Sequence, residues 1–210
     1  LLQGDVGSGK TVVAFLSLLS AVEAGGQGVL MAPTEILVQQ HFENLRPLGN
    51  KVGVVVDALT GRDKGKQRDR KLAALLEGKI HILIGTHAVF QSGVHFLDLR
   101  LAIIDEQHRF GVRQRLALGE KGQSVDVLVM TATPIPRSLA LSQYGEMDLT
   151  VLTDKPAGRK PVKTVIISDN RVNEIVLKLK KAIDKKNQAY WVCPLIEESE
   201  VLDYTAAEDR

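Results

Sequence analysis

Short apolar runs alternate with longer amphipathic stretches through the first 150 residues. The apolar runs predict strands and the stretches between them, whose apolar positions recur at helical spacing, predict helices. Because buried strands joined by helices pair in parallel, this order predicts an α/β fold with a parallel sheet and helices on both faces. Strands are predicted at 1–3, 28–33, 51–59, 80–84, 101–104 and 127–133, and helices at 11–22, 35–46 and 62–77.

The pattern changes after residue 152. Residues 154–161 hold two prolines and a glycine, which argue against regular structure and predict a linker at 153–161. Beyond it, a strand at 162–167, a helix at 171–186 and a strand at 188–193 repeat the strand–helix–strand order. We therefore predict a first domain at 1–152 and the beginning of a second, similar domain at 162–210.

Segment 4–11 reads GDVGSGKT and matches the phosphate-binding loop pattern G-x-x-x-x-G-K-[ST]. Its glycines allow a tight turn whose N–H groups meet phosphate oxygens. Lys10 can reach the outer phosphates, and Thr11 offers a hydroxyl to Mg²⁺. A glycine-rich turn before a helix is the plain alternative, which the predicted strand–loop–helix context disfavours. The loop predicts ATP-type binding with Mg²⁺ through Gly4, Asp5, Gly7, Ser8, Gly9, Lys10 and Thr11.

A pair of acidic residues follows the apolar run 101–104. Strand ends in a parallel sheet meet at one edge, so Asp105 and Glu106 are expected opposite the phosphate loop. There Asp105 would hold Mg²⁺, and Glu106 would orient and polarise the attacking water. Two solvated carboxylates at a strand end are the alternative. Lys10, Asp105 and Glu106 are the predicted catalytic residues.

Another apolar run, 127–130, ends in Thr131-Ala132-Thr133. Small hydroxyl residues at this position can hydrogen-bond both the acidic motif and a neighbouring domain. A threonine-rich turn before Pro134 is the alternative explanation. After the strands that lead to the phosphate loop and to the acidic pair, this run is the third predicted strand whose end carries candidate site residues.

Together these features resemble the motor core of superfamily-2 helicases and translocases. The resemblance covers essentially the whole chain through GDVGSGKT at 4–11, MAPTEILVQQH at 31–41, IGTHA at 84–88, IIDEQHRFGVRQR at 103–115 and MTATPIPRSLAL at 130–141. Within the superfamily it is similar to bacterial DNA helicases that remodel stalled forks and branched DNA. Transcription-repair coupling translocases share much of the same text, and Gln107 favours the fork-remodelling helicases.

The resemblance implies a RecA-like fold of P-loop NTPases, with ATP held between two motor domains. It implies that Gln107, His108, Thr131 and Thr133 couple hydrolysis to movement, and that DNA contacts come from Pro33, Thr34, Glu35, Gly61, Thr86 and His87. Some of these residues have simpler explanations. Thr34 can serve as a helix cap, and His87 and His108 can be histidines without a ligand.

Composition limits the possible partners, ions and cellular compartment of the protein. The net charge is only +2, so basic residues must gather on one face if DNA binds. Aromatics at 4% argue against base stacking as the mode of contact. The single cysteine, Cys193, excludes an internal disulfide and favours a reducing cytoplasm. The sequence shows no 18-residue apolar run, so no membrane partner is expected. Mg²⁺ is the only ion expected, and a monomer is the expectation for oligomeric state.

The chain is expected to be a piece of a longer protein. The predicted function is an ATP-dependent DNA helicase or translocase motor that remodels forks and junctions in recombination and repair. The alternatives are a transcription-repair coupling motor and a nucleotide-binding module without activity of its own. The resemblance also implies an arginine supplied by the second motor domain, for which no motif precedes residue 210. Weak nucleotide binding and low turnover are therefore expected of this segment alone.

Overall fold

The computed structural model describes residues 1–91, 93–105, 125–133, 148–154 and 162–192. The chain forms two compact units, Leu1–Arg159 and Lys160–Arg210. The described part of the first unit contains these main elements in chain order: β1 (Leu2–Gly4), α1 (Lys10–Glu23), β2 (Gln27–Met31), α2 (Glu35–Lys51), β3 (Val56–Leu59), α3 (Gly65–Leu76), β4 (Ile82–Gly85), β5 (Leu99–Asp105), β6 (Asp126–Thr131) and β7 (Thr150–Leu152).

The seven strands form one sheet in the order β3-β4-β2-β5-β6-β1-β7, and every pairing in it is parallel. The predicted parallel α/β fold is confirmed. All strands end at the same side of the sheet, which we call the carboxyl edge. The loops at this edge carry the predicted site residues.

Helices cover both faces of the sheet. On the first face, α1 and α2 pack through Phe15, Leu18 and Val38 against strand residues such as Leu30 and Ile103. On the second face, α3 and the short 3₁₀ helix His87–Phe90 pack against the alternate strand residues. Those residues include Val29, Leu83, Ala102, Ile104 and Val129. Alternation along each strand therefore places the buried apolar side chains of the sheet in one of two layers.

The first unit differs from prediction in three elements. The predicted strand 51–59 begins only at Val56, because α2 continues through Pro47 to Lys51. Proline removes one backbone hydrogen bond from the helix. The buried face of α2 nevertheless continues to Gly49, and its packing stabilises the last turns. The predicted helix 11–22 is apolar nearly all round, yet Val12 and Leu16 are exposed because α1 packs on the sheet through one side only. β7 had no counterpart in the prediction.

In the second unit, the described residues form a 3₁₀ turn at Asp169–Arg171 and the helix α4 (Val172–Asp184). The predicted strands at 162–167 and 188–193 are wrong over the described residues 162–168 and 187–192, which have no strand assignment. A strand needs a neighbour for its backbone groups, and a pair of parallel strands alone is marginally stable. Sequence preference alone does not supply that neighbour. Across the described residues, no helix is long and apolar enough to cross a membrane.

Candidate nucleotide-binding site

The phosphate-binding loop joins β1 to α1, as the strand–loop–helix pattern predicts. Gly7 has φ 80°, and Gly9, the residue that precedes α1, has φ 95°. Residues with a β-carbon rarely adopt this left-handed backbone, so glycine is required at both positions. The turn brings the loop to the amino end of α1, where backbone N–H groups and the helix dipole favour an anion.

Gly4 is a glycine for a different reason. It lies in the strand β1, and a β-carbon there would come within 2.5 Å of Ser8 Oγ and 3.0 Å of Leu152 Cβ. The expectation that Gly4 helps the chain to turn is therefore corrected: the residue permits close approach between the loop and its neighbours. Leu152 belongs to β7, so this edge strand shapes the loop from the side.

Lys10 closes the loop from the helix side. Its Nζ donates hydrogen bonds to the carbonyl oxygens of Gly4 at 2.6 Å and Asp5 at 3.0 Å. The Asp5 carbonyl also accepts from the backbone N–H of Ser8 at 3.1 Å. The ammonium therefore lies at the loop, among the backbone groups that the motif predicts for phosphate binding.

The hydroxyl of Ser8 is buried and has no hydrogen-bond partner among the described residues. Buried polar atoms are usually paired, so an orphaned hydroxyl inside this loop indicates a site built around a further polar group. Thr11 follows Lys10 in the first turn of α1 and is partly exposed. A hydroxyl, an ammonium and a helix amino terminus are the donors that a triphosphate with Mg²⁺ requires. The residues present fit that group.

Asp105 lies at the same edge as the loop. It pairs with Met130 of β6 from one side, and Leu2 of β1 pairs with the same Met130 from the other. Asp105 and Leu2 are therefore level along their strands and two strand spacings apart, about 10 Å. The loop begins two residues beyond Leu2. The structure thus brings Lys10 and Asp105 to one end of the sheet with a single strand between them.

The carboxylate of Asp105 has a partner that sequence reasoning missed. His41 Nε2 lies 2.8 Å from Asp105 Oδ2, and both side chains are largely buried. His41 occupies the inner face of α2 together with Val38 and Leu45. A histidine at a position where the helical pattern calls for an apolar residue was the signal that could have revealed this contact.

The predicted coupling residues are only partly described. Thr131 is buried at the end of β6, the strand that separates β1 from β5. Its Oγ1 accepts a hydrogen bond from the backbone N–H of Thr133 at 3.1 Å, which forms a tight turn at this edge. Glu106, Gln107 and His108 lie outside the described residues, and their predicted roles stay predictions.

The predicted DNA-contacting residues lie at the ends of β2, β4 and β3, the other half of the carboxyl edge. Thr34 caps α2, and its Oγ1 accepts from the backbone N–H of Leu37 at 3.3 Å. Glu35 accepts from the backbone N–H of Gly61 at 3.1 Å and pairs with Arg62 at 2.8 Å. The Gly61 N–H is therefore engaged by a carboxylate in this structure.

The other predicted contacts at this half of the edge differ in exposure. Thr86 is buried and begins the 3₁₀ helix after β4, whereas His87 beside it is exposed. Pro33 is partly exposed between β2 and α2. Of these three, His87 is the most accessible to a macromolecular partner.

Asp63 holds the loop after β3 in place. It accepts from the backbone N–H of Thr60 at 2.8 Å and pairs with Lys71 of α3 at 2.9 Å. Burial by itself raises the pKa of Asp63, but the hydrogen bonds from Lys71 and Thr60 outweigh burial and leave the pKa below its usual value. The loop that carries Gly61 is therefore anchored on both sides, by Glu35 and by Asp63.

The fold and the loop define a class of protein. The sequence model of the DEAD/DEAH box helicase family matches residues 1–141, and the chain belongs to this family. It is 52% identical over 213 residues to the ATP-dependent DNA helicase RecG of Haemophilus influenzae, and 52% identical over 209 residues to that of Bacillus subtilis. These alignments cover 99% and 100% of the chain but 31% of each relative, so the chain spans about a third of their length.

Solved structures agree with this family. A structure of RecG bound to a three-way DNA junction superposes with a TM-score of 0.78 at 44% identity, over 93% of this chain and 26% of that one. The Hef helicase domain of Pyrococcus furiosus superposes with a TM-score of 0.56 at 23% identity, over 71% of this chain and 34% of that one. The likeness to the second structure shows the fold alone.

Proposed function

We propose that this chain is the nucleotide-binding motor of a DNA helicase that couples ATP hydrolysis to the remodelling of branched DNA. The observation that carries the proposal is the placement of the GDVGSGKT loop and Asp105 at one end of the sheet, separated by β6 alone. A nucleoside triphosphate bound by the loop would extend toward that carboxylate. The similarity to RecG over nearly the whole chain supports the same function.

In the proposed nucleotide site, different residues would bind the phosphates and the metal. The loop N–H groups and Lys10 would hold the phosphates, and Thr11 with Asp105 would hold the accompanying Mg²⁺, which neutralises charge on the transferring phosphoryl group. Mg²⁺ bound with phosphates needs only one or two carboxylates from the protein. Glu106 is the next residue after Asp105, and because of this position in the sequence we assign it the role of orienting the attacking water.

The partner we propose is the phosphate backbone of DNA, at the ends of β2, β4 and β3. Segment 62–71 follows β3 and carries six basic and two acidic residues, a net charge of +4 against +2 for the whole chain. A local excess of positive charge of this size is the electrostatic footprint of nucleic-acid binding. Glu35 is better explained as an anchor for the Gly61 loop, since a carboxylate repels phosphate.

The junction-bound RecG structure and the RecG name of the relatives favour branched DNA as the substrate. We propose that the intact protein supplies, outside residues 1–152, the arginine that stabilises the transferring phosphoryl group. The proposal extends to Gln107, His108, Thr131 and Thr133 as the residues that transmit hydrolysis to movement. Thr131 is suited to this role because its strand lies between the loop strand and the Asp105 strand.

The test is Lys10→Ala in the intact protein, assayed for ATP hydrolysis on forked DNA. Loss of the ammonium at the phosphates is expected to lower turnover about 100-fold or more. Lys79→Ala is the matched control, because Lys79 is an exposed lysine that pairs with Glu77 at the opposite edge of the sheet. Wild-type turnover in Lys10→Ala would overturn the motor assignment, because ATP hydrolysis would then not depend on this loop.

A further inference from the structure

His41 is a polar residue at a position where α2 requires an apolar one. The buried side of α2 runs through Val38, His41, Leu45 and Gly49, at the spacing of a helix face that packs on a sheet. Burying an imidazole there costs free energy unless its ring nitrogens are hydrogen-bonded. The partner within reach is Asp105, 64 residues away in sequence, at 2.8 Å.

Alternation along β5 explains why the two side chains meet. Ile104 packs in the layer on the second face, whereas Ile103 packs in the layer on the first face, beneath α1 and α2. Successive strand residues point to opposite faces, so Asp105 points to the first face, as Ile103 does. The carboxylate that we assign to Mg²⁺ therefore projects toward the α2 side and away from α3.

His41 is the donor and Asp105 the acceptor of this hydrogen bond. An ionised carboxylate only accepts hydrogen bonds, so Nε2–H of His41 donates to Oδ2 of Asp105. The contact engages Oδ2 and leaves Oδ1 for a further ligand. The side chain of Asp105 is 13% exposed, and Asp105 is the last residue of β5, at the carboxyl edge. One oxygen is held, and the other is available at the end where the phosphate loop lies.

We propose that His41 is a positioning residue for the nucleotide-bound Mg²⁺: it holds Oδ2 so that Oδ1 of Asp105 faces the metal. The proposal rests on the proposed function, in which Asp105 binds Mg²⁺. A group that fixes a metal ligand by a hydrogen bond typically contributes 10- to 100-fold to metal affinity. A histidine that only filled the core would leave Mg²⁺ affinity unchanged once the protein is folded.

The experiment measures binding of a fluorescent, non-hydrolysable ATP analogue to the intact protein at increasing Mg²⁺ concentration. His41→Leu keeps the volume and removes the donor, and His41→Gln keeps an N–H donor at similar reach. His41→Leu is expected to raise the half-saturating Mg²⁺ concentration about 10-fold, and His41→Gln to restore it to within about 3-fold of wild type. Analogue binding in the presence of EDTA is expected to stay unchanged in both variants.

Asp105→Asn separates the two levels of the proposal. If Asp105→Asn leaves the Mg²⁺ midpoint unchanged, Asp105 is not a metal ligand and the proposed site itself is wrong. If Asp105→Asn shifts the midpoint while His41→Leu does not, the motor assignment stands and the role of His41 is overturned. Should His41→Leu not fold by thermal unfolding, His41→Asn decides, because its shorter amide remains polar but falls short of Asp105.

Discussion

Gln27 shows how much a single buried polar side chain can organise. It begins β2 and is 4% exposed. Its Nε2 donates to the carbonyl oxygens of Leu75 and Ile80 at 2.9 and 2.7 Å, and its Oε1 accepts from the backbone N–H groups of Leu97 and Asp98 at 2.7 and 3.2 Å. All four hydrogen-bonding sites of the amide are used. The residue thereby joins the end of α3 and the segment before β5 to the start of β2.

Replacing Gln27 by leucine is expected to lower the free energy of unfolding by about 3 kcal/mol, because buried backbone groups lose their partner without gaining water. Urea unfolding of the intact protein measures the change. Gln39→Leu is the matched control, since Gln39 is exposed and bonds Glu43 on the same helix. A change below about 0.5 kcal/mol is expected. Equal effects of the two substitutions would contradict the role assigned to Gln27.

At the scale of elements, α2 connects the two halves of the carboxyl edge. Its cap, Thr34, and its first residue, Glu35, lie with the Gly61 loop at the proposed DNA side. His41 lies six residues further, about 9 Å along the helix axis, and contacts Asp105 at the nucleotide side. One rigid helix therefore contacts both proposed ligand sites.

The dual role of Thr34 as helix cap and DNA contact can be separated by charge. Aspartate caps a helix as well as threonine does, but it brings a negative charge toward phosphate. We expect Thr34→Asp to keep the unfolding free energy within about 0.5 kcal/mol and to weaken fork binding about 10-fold, whereas Thr34→Ser keeps both. Fluorescence anisotropy with forked DNA measures the affinity. Unchanged affinity in Thr34→Asp would make Thr34 a helix cap and nothing more.

At the scale of the molecule, charge is distributed unevenly around the first unit. The positive segment 62–71 includes the exposed Lys64 and Lys66 near the ends of β3 and β4, whereas Lys51 and Lys79 lie at the amino edge. A lysine that contacts a DNA phosphate releases counterions from the DNA. Removing such a contact therefore reduces the salt dependence of the DNA affinity. Net charge alone, at +2, conceals this asymmetry.

The double substitution Lys64→Ala, Lys66→Ala is expected to weaken fork binding and to reduce the slope of log affinity against log salt by about 1 to 2. Titrations at several salt concentrations give the slope. The double substitution Lys51→Ala, Lys79→Ala removes the same charge from the opposite edge and is expected to leave the slope unchanged. If both pairs reduce it equally, DNA is attracted by overall charge and the carboxyl edge is not its binding surface.

Much of this arrangement was predictable from the sequence, because it depends on residues that are neighbours in the chain. The phosphate loop is a run of eight residues, and Gly7, Gly9, Lys10 and Thr11 each have a local reason. Apolar runs separated by helical stretches require a parallel sheet, and a parallel sheet places every strand end on one edge. The strands expected at 162–167 and 188–193 were wrong over the described residues, because a strand depends on a partner strand that local sequence preference cannot supply.

What the tertiary structure decided are the contacts between residues far apart in the chain. The order β5-β6-β1 sets the separation of Asp105 from the loop, Leu152 confines Gly4, and His41 reaches Asp105 across 64 residues. No periodicity encodes these pairings, because each arises when separate elements pack together and their buried polar groups must find partners. The sequence by itself determined which chemistry the chain carries, and the packing decided which of those groups face one another.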